Sequence, residues 1–143
     1  MTATPAQVGD AVLAAVTGLT LSAPHASSRS FWPDRKPEEL LGLTVTVVPR
    51  GIERRAETRV SERIDYTVDI LVQRKVDQMA RDAEIALLSA DVEKVADAVY
   101  ALRAGTTGFV CVGTTIDPMV APAHMQEHGV FTGVVTARLR AVG

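Results

Sequence analysis

The residues with the most chemical potential sit in a short run, His124-Met-Gln-Glu-His128. It matches H-x-x-E-H, in which two histidines one helical turn apart bind zinc and the glutamate activates water. An open catalytic zinc site needs a third protein ligand, and from Gly129 to Gly143 there is no Asp, Glu, His or Cys. The run is also confined between Pro122 and Gly129, too short for a long helix. It reads more simply as an exposed loop, or as a subunit contact. The single cysteine, Cys111, falls in the apolar stretch Val110-Cys111-Val112. There it reads as a small buried hydrophobe, because a nucleophilic thiolate requires a neighbouring base or positive charge that the sequence does not supply. No G-x-x-x-x-G-K-[ST] and no G-x-G-x-x-G phosphate loop is present. The paired carboxylates Glu38 and Glu39 are adjacent and so do not face each other on any regular element. No metal, cofactor or catalytic set is expected.

A different kind of chemistry is concentrated between residues 50 and 63. Arg50, Arg54, Arg55, Arg59 and Arg63 share this stretch with Glu53, Glu57 and Glu62, and five positive minus three negative charges leave +2. Mixed charge on a hairpin end is usually a solvated tip. Guanidinium groups also make bidentate pairs with a neighbour's carboxylates, so the same stretch is a candidate subunit contact. A third reading is contact with DNA passing nearby. Phe31 and Trp32 form a second candidate: they either anchor their loop to the domain or act as a contact hot spot, a role in which tryptophan is enriched.

Elements that would hold these residues follow from periodicity. Thr4 as N-cap and Pro5 at the first helical position open a helix over residues 4–19, with Val8, Val12, Ala15, Val16 and Leu19 on one face. Residues 20–42, rich in proline and serine, read as a long irregular connection. Residues 43–49 read as a strand ended by Pro49, and residues 50–59 as its charged hairpin tip. Residues 60–75 alternate most clearly: Ile64, Tyr66, Val68, Ile70 and Val72 share one face, and Asp65, Thr67, Asp69 and Gln73 the other. Over residues 82–103, Ile85, Leu88, Val92, Val95, Val99 and Leu102 form a narrow helical stripe, with a possible break at Ser89-Ala90-Asp91. Strands over 109–116 and 130–142 complete an α-β-β-α-β-β order. The fold class is α+β: one domain over residues 1–143, a mostly antiparallel four-stranded sheet, and both helices on one face.

Composition agrees with a packed domain that works through its surfaces. The 143 residues are 47% hydrophobic and 22% charged, with a formal net charge of −2, which gives no basic excess for free nucleic-acid binding. The aromatic content of 4% is too sparse for base-stacking platforms. No apolar run approaches the ~20 residues of a membrane span, and the N-terminal stretch lacks the basic flank of a signal peptide.

Taken in sequence, the helix and loop, the strand Leu43–Pro49, the charged hairpin, the alternating strand Ile64–Val72, the helix around Asp91–Leu102 and the closing strand Gly129–Arg140 resemble the tail terminator (tail completion) proteins of long-tailed bacteriophages. The resemblance covers nearly the whole chain and is one of layout. It implies a non-enzymatic virion protein, assembled in the host cytoplasm, that forms a hexameric ring. Such a ring caps the tail tube, faces the head connector or a neck protein, and lets DNA pass as cargo through its lumen. The alternatives are another head–tail joining part (a neck adaptor or stopper), a small ligand-binding or regulatory α+β domain, and an enzyme.

Overall fold

The computed structural model describes residues 4–31, 42–58, 62–76, 79, 81–102, 109–117, 119–121 and 129–141. In chain order the elements are α1 (Pro5–Thr17), β1 (His25–Arg29), β2 (Leu43–Ala56), β3 (Glu62–Lys75), α2 (Arg81–Tyr100), β4 (Phe109–Ile116) and β5 (Val130–Ala141). The sheet order is β1-β2-β3-β5-β4, with β1 parallel to β2 and every other pair antiparallel.

The expected α+β class holds, but the sheet has five strands and is mixed, where four mostly antiparallel strands are expected. The added strand, β1, lies inside the stretch read as irregular. His25-Ala-Ser-Ser-Arg29 has no apolar alternation of its own. It is held by the free edge of β2, pairing from His25↔Leu43 to Arg29↔Val47, and by α1 above it. His25 Nε2 lies 3.2 Å from the Val16 carbonyl oxygen, and Arg29 Nε donates to Asp10 Oδ1 at 2.5 Å.

Pro49 does not end β2. Strand β1 stops opposite Val47, where Ser30 N–H donates to the Val47 carbonyl at 2.9 Å. The outer side of β2 has no partner beyond that point among the described residues, so a residue without an N–H is tolerated there. The ladder with β3 slips between Pro49 and Gly51 and then continues to Ala56↔Glu62. Residues 50–56, expected in the tip, are therefore strand.

Local sequence explains both helices. At the start of α1, Gln7 N–H donates to Thr4 Oγ1 (3.2 Å) and Thr4 N–H donates to Gln7 Oε1 (2.8 Å), a closed capping box with Pro5 following. α2 is continuous through Ser89-Ala90-Asp91. Asp91 points inward, almost fully buried, and accepts from Ser22 N–H (3.0 Å) and Ser22 Oγ–H (2.5 Å). It ties α2 to the connection between α1 and β1 instead of breaking the helix.

Both helices cover the same face of the sheet, α1 over β1 and β2 and α2 over β4 and β5. Val8, Val12 and Val16 of α1 and Leu88, Val92, Val95 and Val99 of α2 meet the inward residues of β2, β3 and β5 in one core. Each such side chain contributes about 1.5–3 kcal/mol by leaving water, far more than a surface ion pair at ~0–1 kcal/mol. The sheet's alternation therefore decides which face is core. Close approach is set by two glycines: a Cβ at Gly9 would lie 2.9 Å from the side chains of Arg29 and Pro49. One at Gly133 would lie 2.7 Å from Val92 and 2.8 Å from the Met119 carbonyl oxygen.

Replacing Asp91 by alanine removes two hydrogen bonds to a buried carboxylate. Asp91→Ala is expected to lower stability by about 1–3 kcal/mol, read as a shift in the urea unfolding midpoint at unchanged slope.

Candidate assembly surface

The face of the sheet turned away from the helices carries the polar residues of β2, β3 and β5. Its geometry depends on the slip in β2. Before it, Leu43, Val45, Val47 and Pro49 face the helices. After it, Gly51 pairs with Thr67 and Glu53 with Asp65, so the odd-numbered residues face outward and Ile52 and Arg54 face the helix side. Arg50 is the extra residue, and it turns outward onto Asp69, Nε to Oδ2 at 3.2 Å.

Across β3 and β5 the outward residues include one charge pair and one hydroxyl–carboxylate bond. Asp69 also accepts from Thr136 Oγ–H at 2.8 Å. Asp65, opposite Arg140, accepts from Arg140 Nε at 2.9 Å and from Nη2 at 3.4 Å. This bidentate bond, reinforced by the charges of Arg140, Arg63 and Arg138, holds the Asp65 carboxyl below its ordinary value against the opposing effect of burial. The same hydrogen bond pushes the Arg140 guanidinium above its ordinary value. Between the strands lies an open groove of about 390 Å³, walled by Arg50, Thr67, Gly113, Thr115, Thr136 and Arg138. Farther along the same face Gln73 Nε2 donates to Thr132 Oγ1 at 3.3 Å, with both residues and Thr46 buried.

The predicted arginines are thus distributed rather than gathered. Arg50, Arg55 and Arg63 face outward, and Arg54 faces the helix side near Tyr66. Burial pushes the Tyr66 phenol up, partly opposed by the Arg54 charge. Two of the glutamates foreseen as partners for a neighbour are engaged within the chain: Glu53 Oε1 accepts from Arg55 Nε at 2.7 Å, and Glu57 lies 3.9 Å from Arg63. Phe31 is exposed, with the Arg29 guanidinium 5.1 Å above its ring. Arg59, Trp32, the side chain of Glu62 and the His124–His128 run lie outside the described residues. What periodicity alone missed was the cross-strand pairing. Asp65 and Asp69 on one alternating strand and Thr136, Arg138 and Arg140 on another were a usable signal for it.

Past Asp65↔Arg140 the third strand ends, and β2 and β3 continue alone as a two-stranded arm through Arg54↔Ile64, Arg55↔Arg63 and Ala56↔Glu62. An isolated two-stranded ribbon is marginal in water, and every residue from Ile52 to Thr58 is exposed.

Among the described residues no cluster of three or more His, Cys, Asp or Glu could hold a metal ion. Cys111 is buried, with its Sγ 3.5 Å from the Gly113 carbonyl oxygen. No helix among the described residues is long and apolar enough to cross a membrane.

Acid should report on the Asp65–Arg140 pair. The folded pKa of Asp65 lies below the 3.8 of the unfolded carboxyl. Its stabilisation is therefore complete above that value and is lost as the pH falls through the folded pKa. Asp65→Asn is expected to lower stability at neutral pH and to flatten the decline in stability below pH ~4, as followed by denaturation midpoints across an acid series.

The sequence matches no known family and no curated protein. Among solved structures it is similar to a chain in the virion of native gene transfer agent (GTA) particle, with TM-score 0.51 and 20% identity over 94% of this chain and 87% of that one. At that identity the likeness establishes a shared fold.

Proposed function

We propose that this chain is a non-enzymatic structural virion protein, a single tail-terminator-like domain that forms a hexameric ring. The ring caps the tail tube, joins the tail to the head connector or a neck protein, and passes DNA through its lumen. The observation that carries the reading is the fold shared over 94% of the chain with a chain of a gene transfer agent virion. The projecting arm of β2 and β3 adds to it. Arg54, Arg55 and Ala56 are exposed on this two-stranded ribbon, and they suit a role in holding a neighbouring subunit. In this reading Arg54 and Arg55 belong to the contact between copies, and Phe31 and Trp32 are a second contact.

Native mass spectrometry and light scattering, at high concentration and after mixing with tail tubes, test the ring. Rings of six are expected, at the tube end if not free in solution, and monomer in both conditions overturns the reading. Arg54→Glu with Arg55→Glu is expected to abolish assembly while leaving the circular dichroism spectrum unchanged. Wild-type assembly in that variant removes the arm from the contact.

A further inference from the structure

Two strand edges in this sheet have no partner among the described residues and are complementary to each other. One is the outer edge of β4. Phe109-Val-Cys-Val-Gly-Thr-Thr-Ile116 has no charged residue and no proline, the devices that normally keep an edge from pairing with another chain. Its one irregularity is the slip at Val112, between Cys111 and Gly113, and the strand is regular again from Gly113 to Ile116. The other is the outer edge of β2 beyond Val47, where β1 stops. Exposed apolar side chains mark both edges: Val112 on β4 and Ile52 on β2.

The geometry points to a head-to-tail contact in which the arm of β2 from one copy adds to the β4 edge of the next, continuing the sheet. This rests on the ring-subunit reading and assigns the surface that receives the arm. Strand directions permit it. β4 runs opposite to β5, β5 opposite to β3 and β3 opposite to β2, so a second copy set beside β4 in the same sheet presents β2 antiparallel to it. A continued sheet keeps its faces. The β2 residues on the helix side of this edge, Ile52 and Arg54, therefore arrive on the side of the receiving copy's α2. There a cleft of about 380 Å³ between α2 and β4 is lined by Glu93, Ala96, Asp97, Thr114 and Ile116. Its apolar part, Ala96 and Ile116, suits Ile52, and its two exposed carboxylates, Glu93 and Asp97, suit Arg54. Because the two edges are different surfaces, the contact is heterologous, the kind that closes a ring when the rotation between copies allows.

Charge exchange and hydrogen exchange test it together. Glu93→Arg with Asp97→Arg, and separately Arg54→Glu, are expected to reduce the ring fraction at least tenfold. The chain carrying all three substitutions is expected to recover it, with native circular dichroism in each case. Glu93→Gln with Asp97→Asn serves if the arginine pair fails to fold, and its ring fraction is expected to fall as well. In the wild-type ring the amides of residues 113–116 are expected to exchange more slowly than in the monomer. If the α2 variants form rings as wild type does, or if those amides exchange equally fast in ring and monomer, this contact is wrong while the ring reading stands. If wild type forms no ring even on tail tubes, both fall.

Discussion

The alternation of β3 is the constraint from which the other elements take their positions. It is the central strand, paired on one side with β2 and on the other with β5, and Ile64, Tyr66, Val68, Ile70 and Val72 all point to the same face. A strand's side chains repeat every two residues, so a slip of one position in either neighbour would expose that neighbour's whole apolar set. Burial therefore fixes two registers at once: Val72 opposite Val45 and Gly133, and Ile70 opposite Val47 and Val135. The helices then have only one face to cover.

The slip at Pro49–Gly51 is where this rule is suspended, and it divides β2 into two parts. The first places valines beneath α1. The second exchanges the roles of odd and even positions, and its residues from Ile52 on are exposed. Arg50, left over at the slip, joins Asp69 on the outer face. One extra residue thus separates a packing segment from an exposed segment within a single strand, while β3 runs unbroken opposite both.

Much of this was legible from local pattern. The period-two alternation of residues 64–72 and of Phe131, Val135, Ala137 and Leu139 identified the inward faces, and Thr4-Pro5 marked the start of α1, because these features depend on near neighbours. β1 was not legible, because Ser27, Ser28 and their neighbours become a strand only through the free edge of β2 and the side of α1. Pro49 reads as a terminus in the sequence because its tolerance depends on where another strand stops. Ser89-Ala90-Asp91 offers a possible break in the sequence because the partner of Asp91, Ser22, lies sixty-nine residues away. The arginines were visible as a cluster. Which of them meet Asp69, Glu53 or Glu57 is a matter of register, and no residue announces its register alone.

The central place of β3 also bears on the order in which the chain acquires structure. Its pairing with β2 is a hairpin, closed by a few residues. Its pairing with β5 joins Asp65 to Arg140, and α2 and β4 must be made before β5 exists. Local contacts form ahead of those that close long loops. During synthesis the hairpin therefore stands for a time with one long edge of β3 open and its apolar face incompletely covered. That interval is when the growing chain is most exposed to mispairing with other chains, and it ends only when β5 arrives.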